Sequence, residues 1–257
     1  MRASRALLLD LDGTLYVDDR AVPGAVAGVA ALRTRHIPLR FTTNTTRFPR
    51  RVLAERLCAM GFDAQPEEIL TAPAAAAVWL ADQGIRRVAL YLAQATFEDF
   101  RAFTLDDERP EAVVVGDLGP GWTYDALNRA FRWLLAGARL VAIQKNRYWR
   151  LGGELVLDAG PFVAALEHAA DTRAVLVGKP SGAFFEAAIR SLGVAAADVA
   201  VVGDDVETDV AGAQGAGCQG VLVRTGKYRP GDEHRAGRSP DAVIDSVADL
   251  ATLPWQA

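Results

Sequence analysis

The 257-residue sequence contains only two cysteines and three histidines. Cys58 and Cys218 lie far apart, and no cysteine or histidine stands at a spacing typical of metal ligands. Neither a disulfide framework nor a zinc site is therefore indicated. We expect both cysteines to be small apolar residues of the core.

An excess of positive charge and a long apolar segment are also missing. The 28 Lys and Arg side chains are outnumbered by 32 Asp and Glu, for a formal net charge of -4, so neither nucleic acid nor an anionic membrane is expected as the main partner. The apolar run near the N-terminus is interrupted by Asp10, which makes it too short for a signal peptide or a membrane span. The composition therefore favours a cytoplasmic protein that binds small molecules.

Short β-rich runs alternate with helical patterns along the whole chain. This alternation predicts an α/β fold in which a doubly wound, Rossmann-like parallel sheet is covered by helices on both faces. Most of the predicted strands of that sheet are near-continuous apolar runs, as expected of strands buried on both sides: 6–9, 38–42, 174–177, 199–202 and 220–223.

The middle of the chain carries predicted strands and helices of its own. No long Gly/Ser linker separates this part from the rest, so it is expected to form an inserted α/β module that joins the core through two short hinges. We predict a core domain made of 1–78 and 174–257 and an inserted domain of 79–173.

Two carboxylates come directly after the first predicted strand. An apolar strand that delivers Asp10 and Asp12 to a loop concentrates negative charge where a cation must balance it, which favours a metal-assisted site. The alternative for this fragment alone is a strand that ends in an Asp-Gly turn.

Polar residues follow the other predicted strands as well. Ligands of a doubly wound sheet bind beyond the carboxyl ends of its strands, so all these residues are expected at one edge: Thr43, Asn44, Lys179, Asp204, Asp205 and Asp209. Each group alone could be a turn, a helix cap or a solvated side chain. Together they supply what phosphoryl transfer needs, namely oxygen ligands for a hard cation, a nucleophile, an acid/base group and donors for the phosphoryl oxygens.

These motifs resemble those of the haloacid dehalogenase (HAD) superfamily of magnesium-dependent phosphohydrolases. The segment 10–14, with sequence Asp-Leu-Asp-Gly-Thr, is similar to the first motif of that family, Thr43-Asn44 to the second, Lys179 to the third, and 203–209 to the fourth. The long insertion between the second and third motifs is similar to the C2-type cap of the NagD-like branch. Segments 41–46, 157–162 and 224–228 resemble the hydrolase domain-containing subgroup and the phospholysine phosphohistidine inorganic pyrophosphate phosphatases.

The resemblance implies a role for each of these residues. Asp10 would be the nucleophile that forms an aspartyl-phosphate, and Asp12 would protonate the leaving group and then activate water. Mg²⁺ would be held by the Asp10 carboxylate, the Asp12 backbone carbonyl and the Asp204 carboxylate. The remaining residues would hold the transferred phosphoryl oxygens (Thr43, Asn44 and Lys179, the last expected as an exposed lysine of the cleft) or orient groups around the metal (Asp205 and Asp209).

The part of the substrate that leaves must be recognised outside the core motifs. The polar run 144–150 follows a predicted strand of the inserted domain and offers Lys145 and Arg147 for substrate binding; the alternative is a solvated loop. A phosphotransferase or mutase of the same superfamily stays open as a second function. A phosphorylatable signalling domain is disfavoured by the order of the motifs, and family analogy adds a homodimer formed through the cap.

Overall fold

The computed structural model describes residues 1–151, 154–234 and 239–256. Residues 235–238 and 257 of the predicted core domain, and residues 152–153 of the predicted inserted domain, lie outside the described residues. The strands are β1 (Ala6–Asp10), β2 (Tyr16–Val17), β3 (Arg20–Ala21), β4 (Leu39–Thr43), β5 (Ile69–Thr71), β6 (Arg87–Tyr91), β7 (Thr104–Leu105), β8 (Ala112–Val115), β9 (Arg139–Ala142), β10 (Tyr148–Leu151), β11 (Glu154–Leu157), β12 (Val175–Leu176), β13 (Val199–Gly203), β14 (Gln219–Val223) and β15 (Ala242–Ile244).

Seven α-helices lie in the part of the chain that the structure describes: α1 (Ala25–Thr34), α2 (Arg50–Ala59), α3 (Ala72–Asp82), α4 (Tyr124–Leu135), α5 (Ala159–Ala169), α6 (Gly182–Leu192) and α7 (Gly212–Gly215). A π-helical turn, Val206–Ala211, precedes α7, and short 3-10 helices connect several strands. No helix among the described residues is long and apolar enough to cross a membrane.

The chain forms two compact units. The core unit comprises Met1–Thr43, Arg50–Leu70 and Lys179–Ala257, and the inserted unit comprises Asn44–Pro49 and Thr71–Gly178. The inserted unit is therefore longer at both ends than the predicted 79–173, because α3 and β12 belong to it.

The core unit is built on a six-stranded sheet in the order β15-β14-β13-β1-β4-β5. The central strand β1 pairs in parallel with β13 on one side and β4 on the other, with Leu9 opposite both Val202 and Phe41. Every residue of β1, β13 and β14 is buried, as expected of strands covered on both faces. The predicted α/β class with a doubly wound parallel sheet is confirmed, and the carboxyl ends of β1, β4 and β13 share one edge.

The inserted unit has its own five-stranded sheet in the order β12-β9-β8-β6-β7, and all its pairings are parallel. The prediction that segment 174–177 joins the core sheet is wrong, because β12 pairs with β9 at the edge of this second sheet. Both residues of β12 are only half-buried. A short apolar run indicates a strand but does not say which of two sheets it joins.

Two hairpins lie outside the large sheets. In the inserted unit β10 pairs with β11, with Tyr148 opposite Leu157. In the core unit β2 pairs with β3 just after the first motif, with Tyr16 opposite Ala21. The two residues of its turn, Asp18 and Asp19, have φ of 46° and 61°, the positive values that a tight two-residue hairpin turn requires.

Candidate active site

The carboxyl end of β1 places the Asp10 carboxylate inside the core unit. Asp10 is 6% exposed, and its Oδ1 accepts a hydrogen bond from Lys179 Nζ at 2.5 Å. Its Oδ2 accepts a hydrogen bond from the Thr14 hydroxyl at 3.2 Å. Burial raises the pKa of Asp10 in spite of the Lys179 ammonium, since the charged form loses its hydration. The two donors fix the orientation of this carboxylate.

Lys179 is buried between two carboxylates. Besides Asp10, its Nζ contacts Asp209 Oδ1 at 2.6 Å, and the residue is only 5% exposed. The expectation of an exposed cleft lysine is therefore wrong, because two opposite charges compensate the ammonium and allow its burial. Burial by itself would lower the pKa of Lys179, but Asp10 and Asp209 outweigh it and raise that pKa.

Asp204 follows β13, and its carboxylate lies against the backbone of two loops. It is 2% exposed, and its Oδ2 accepts a hydrogen bond from the Lys227 backbone N–H at 2.7 Å. A Cβ added to Gly13 or Gly226 would lie 2.0 or 2.1 Å from the same oxygen, and both glycines have positive φ, 86° and 58°. Only glycine fits at these two positions. Burial raises the pKa of Asp204 to about 6.

Asp205 and Asp209 organise the loop that carries Asp204. The Asp205 side chain accepts hydrogen bonds at 3.1 Å from the backbone N–H groups of Glu207 and Thr208, which caps the π-helical turn Val206–Ala211. The Asp205 N–H donates to Asp209 Oδ2 at 3.3 Å. Burial raises the pKa of Asp209 to about 6. The Asp205 side chain therefore caps the loop that follows Asp204, while Asp209 contacts Lys179.

The buried acids form a group that could hold a divalent metal ion. Oxygens of Asp10, Asp204 and Asp209 all lie within 4.8 Å of one another. Of these three buried carboxylates, Asp10 and Asp209 share the Lys179 ammonium, whereas Asp204 has the Lys227 backbone N–H. The excess negative charge and the purely oxygen donor set fit a hard cation such as Mg²⁺.

Asp12 differs from the other acids because its side chain is exposed. It lies two residues beyond Asp10, on the loop between β1 and β2. Thr43 is the last residue of β4 and is buried at 2% exposure, and the neighbouring strand residues Asp10 and Thr42 are paired in register. Asn44 follows immediately, although it groups with the inserted unit, where its Oδ1 lies close to the Gly178 backbone.

Lys145 and Arg147 lie on the loop between β9 and β10 of the inserted unit. The Lys145 Nζ forms an ion pair with Glu167 of α5 at 2.8 Å, so its charge is already compensated within that unit. The Arg147 side chain is exposed. The loop is fixed by a buried hydrogen bond from Gln144 to Asp158, and the side chain of Arg150, the last residue of the predicted polar run, lies outside those that the structure describes.

Two residues that contact the site were missed by sequence reasoning. Thr14 donates to the nucleophile candidate Asp10, although it was quoted only as part of the first motif. Lys227 contributes a backbone donor to Asp204 and an ammonium 3.4 Å from Asp205. The sequence signal for Lys227 was its position four residues after the apolar strand β14, at the same edge of the sheet as the other motifs.

Comparison with known proteins gives matches over almost the whole chain. The family model of the haloacid dehalogenase-like hydrolases matches residues 7–105, and a second model, described as HAD-hydrolase-like, matches residues 176–250. The haloacid dehalogenase-like hydrolase domain-containing protein 2 of Bos taurus is 43% identical over 245 residues, which cover 95% of this chain and 93% of that protein.

Two further matches are similar in extent. The phospholysine phosphohistidine inorganic pyrophosphate phosphatase of Homo sapiens is 37% identical over 259 residues, covering 98% of this chain and 94% of that protein. Among solved structures, NagD from the E. coli K-12 strain superposes with a TM-score of 0.90 at 26% sequence identity and covers 98% of this chain and 100% of its own.

Proposed function

Because the chain belongs to the haloacid dehalogenase-like hydrolases and is a phosphatase of that family, we propose that it is a Mg²⁺-dependent phosphohydrolase that acts through an aspartyl-phosphate on Asp10. The observation that carries the proposal is the unequal environment of the first two acids. Asp10 is buried and held by Lys179 and Thr14, whereas Asp12, two residues away, is exposed.

Each of these two carboxylates suits one chemical task. An Asp10 oxygen attacks phosphorus, so that a new Asp10 O–P bond forms while the bond from phosphorus to the leaving group breaks. Asp12 donates a proton to the leaving atom as it departs, and its carboxylate then takes a proton from the water that attacks the aspartyl-phosphate. Inorganic phosphate leaves, and both carboxylates return to their starting state.

The remaining residues neutralise charge. The Lys179 ammonium, the Thr43 hydroxyl and the Asn44 amide are proposed to hold the transferred phosphoryl oxygens. The carboxylates of Asp10 and Asp204 and the backbone carbonyl of Asp12 would hold Mg²⁺, which supplies positive charge against the phosphoryl group and the nucleophile. Asp205 and Asp209 keep the Asp204 loop and Lys179 in place.

The substrate is proposed to be a small phosphorylated metabolite. One relative is named for phospholysine, phosphohistidine and inorganic pyrophosphate, so phosphoramidates and pyrophosphate are candidates beside phosphomonoesters. The inserted unit would act as the cap that selects the leaving part of the substrate, with the exposed Arg147 and, less directly, the ion-paired Lys145 as binding groups.

We also propose a homodimer formed through the inserted unit. Tyr148, Leu155 and Leu157 of the β10–β11 hairpin are 55%, 57% and 63% exposed, and the strand pairing places them on one face. An apolar face of this kind is typical of a protein interface. Cys218 is buried, whereas Cys58 is exposed and not part of the core as expected. Both thiols are free, which agrees with a cytoplasmic location.

Phosphate release with and without metal tests the proposed function. We expect EDTA to abolish hydrolysis of p-nitrophenyl phosphate and added Mg²⁺ to restore it, whereas Ca²⁺ should inhibit because its larger coordination sphere lets both Asp10 oxygens bind metal. Released phosphate should equal the substrate consumed, and a shortfall would indicate a phosphotransferase. Full activity in the chelator, or with Ca²⁺ alone, would contradict the proposal.

A further inference from the structure

An arginine of the inserted unit lies close in sequence to the second motif. Arg47 follows Asn44 by three residues, and both belong to the segment Asn44–Pro49 of that unit. Three residues span at most about 11 Å even when the chain is fully extended. A substrate whose phosphoryl group is held by the Asn44 amide, as proposed above, would therefore have its leaving part within reach of the Arg47 side chain.

The guanidinium of Arg47 is held on one edge and on one face. Its Nε donates to Asp117 Oδ2 at 2.7 Å, and the other carboxylate oxygen of Asp117 accepts a hydrogen bond from the Gly119 N–H at 3.1 Å. The guanidinium carbon lies 3.5 Å from the centre of the Trp149 ring, so the flat cation stacks on an aromatic face. Together these two contacts restrict the orientation of the guanidinium.

The Trp149 ring is carried by the β10–β11 hairpin. Trp149 lies opposite Val156 in the strand pairing, so these two side chains share the face of the hairpin that is turned away from Tyr148 and Leu157. Trp149 and Val156 are half-buried, whereas Tyr148 and Leu157 are exposed. The contact with Arg47 therefore uses a different face of the hairpin from the proposed dimer, and both can exist together.

The terminal nitrogens of Arg47 are available as donors. In the described part of the chain neither Nη1 nor Nη2 donates a hydrogen bond, and the side chain is 39% exposed. The Asp117 side chain is only 11% exposed, and both of its oxygens already accept hydrogen bonds. A guanidinium that is oriented in this way and keeps free terminal N–H groups suits a planar oxyanion, which it can bind through two parallel hydrogen bonds.

We propose that Arg47 is a specificity-determining residue that binds an oxyanion, a carboxylate or a second phosphoryl group, in the leaving part of the substrate. The inference rests on the proposed function, in which Asn44 holds the transferred phosphoryl group. Because the guanidinium is oriented before the substrate arrives, less side-chain entropy is lost on binding. A neutral leaving part of the same shape binds less well, since hydrogen bonds to a charged acceptor are about twice as strong as those to a neutral one.

Three aryl phosphates that differ in one group test the proposal. The p-carboxymethylphenyl, p-phosphonomethylphenyl and p-carbamoylmethylphenyl esters share the same scissile bond, but only the first two carry an oxyanion in the leaving part. With Mg²⁺, the wild-type protein should hydrolyse at least one anionic ester with a kcat/KM about 10- to 100-fold higher than that of the neutral amide, the range for one charge-assisted hydrogen bond. The ratio between the two anionic esters shows which oxyanion Arg47 prefers.

Arg47→Gln should remove this preference. We expect the ratio of kcat/KM between the preferred anionic ester and the amide to fall by about tenfold or more, with most of the change in KM, because the contact is made in the substrate and transition state alike. Arg47→Lys should recover only part of the ratio, since an ammonium keeps the charge but not the planar fork.

Arg87→Gln is the matched control. Arg87 is a half-exposed arginine of the same unit that is ion-paired with Glu111 at 3.6 Å, and its loss should leave the ratio unchanged. A preference for anionic esters that survived Arg47→Gln, or equal slowing of all three esters in that variant, would overturn the proposal.

The comparison of the three esters in the wild-type protein needs no variant, so it serves even if Arg47→Gln does not fold. Equal kcat/KM values for the three esters would refute recognition of an oxyanion by Arg47 while leaving the proposed function intact. Absence of phosphate release from every ester in the presence of Mg²⁺ would instead contradict the proposed function.

Discussion

At the scale of single residues, the site is an arrangement of buried charge that is nearly but not fully balanced. Lys179 lies between Asp10 and Asp209, at 2.5 and 2.6 Å. Removing one member of such a buried group leaves the charges of the others uncompensated. The resulting loss in the free energy of unfolding is far larger than the contribution of a surface ion pair. We therefore expect the lysine to affect folding as well as the proposed catalysis, and the two effects must be measured separately.

Lys179→Ala should lower both kcat and stability. We expect kcat on p-nitrophenyl phosphate to fall by about 10²-fold or more, the scale for losing one electrostatic stabiliser. The free energy of unfolding should drop by about 3–5 kcal/mol at pH 7.5, since two buried carboxylates lose their partner. The pKa of Asp209 is already raised to about 6, so both carboxylates should take up protons as the pH falls through this range, and the deficit should shrink toward pH 5.5.

Arg33→Ala provides a control for the Lys179 variant in the same unit. Arg33 is ion-paired with Glu68 at 2.7 Å, neither residue belongs to the four motifs, and its side chain is partly exposed. Its loss should lower the free energy of unfolding by about 1 kcal/mol or less and leave kcat unchanged.

Wild-type turnover by the folded Lys179→Ala protein would show that this lysine does not act on the phosphoryl group. Denaturant melts at the two pH values, with kcat measured on the folded fraction, give all these quantities.

At the scale of elements, two loops meet backbone to backbone around one carboxylate. The loop after β1 contributes Gly13, and the loop after β14 contributes Thr225, Gly226 and Lys227. The Thr225 hydroxyl donates to the Gly13 carbonyl at 2.6 Å, and Asp204 lies against both glycines. The position of a proposed metal ligand is thus set by contacts between distant loops rather than by its own strand alone.

Gly226→Ala should weaken metal binding in addition to the stability that it loses through backbone strain. The new Cβ would lie 2.1 Å from Asp204 Oδ2 and 2.4 Å from the Gly13 Cα, so the carboxylate or the loop must move. Gly193→Ala is the matched control, because Gly193 has a similar φ of 69° but no atom within 4 Å of the added Cβ. Each substitution places a side chain in the left-handed region at a cost of about 1–2 kcal/mol.

Mg²⁺ titrations of activity together with thermal melts distinguish these glycine variants. The Gly193 variant should lose stability alone. The Gly226 variant should also need at least about tenfold more Mg²⁺ for half-maximal rate, the lower end of what disturbing a ligand's support costs. Identical Mg²⁺ dependence in the two variants would show that the Gly226 contact does not position a metal ligand.

At the scale of the whole molecule, the residues proposed for phosphoryl transfer and those proposed for substrate selection lie in different units. Asp10, Asp12, Lys179 and Asp204 belong to the core unit, whereas Lys145 and Arg147 belong to the inserted unit. If the proposed roles hold, phosphoryl chemistry can stay constant while the inserted unit changes to suit another substrate.

Much of this organisation follows from the sequence because it depends on local patterns. Apolar runs such as that of β1 predict buried parallel strands, and the polar residues after them are thereby predicted at one edge of a sheet. The proximity of Asp10, Asp204 and Asp209 agrees with that expectation. Lys179 joins the same group for another reason, because the strand before it, β12, belongs to the other sheet. The α/β class was predictable on the same grounds.

What could not be predicted depends on contacts between distant segments. The burial of Lys179 requires two carboxylates from different loops, and the sheet that β12 joins is decided by its pairing with β9. The β2–β3 hairpin depends on a turn at Asp18 and Asp19, which carries no glycine or asparagine to indicate its positive φ values.

Trapping the phospho-enzyme tests the central claim most directly, because the mechanism gives Asp10 and Asp12 different tasks. In Asp10→Asn neither substrate cleavage nor a phospho-enzyme should be found. Asp12→Asn keeps the nucleophile Asp10 and the backbone carbonyl of residue 12, but it lacks the base for the second step. The variant should therefore be phosphorylated by p-nitrophenyl phosphate, and turnover should then stall. Rapid-quench mass spectrometry of this variant should find about 80 Da added at Asp10, the mass of one phosphoryl group. An adduct at another residue, or normal turnover in either variant, would contradict the account.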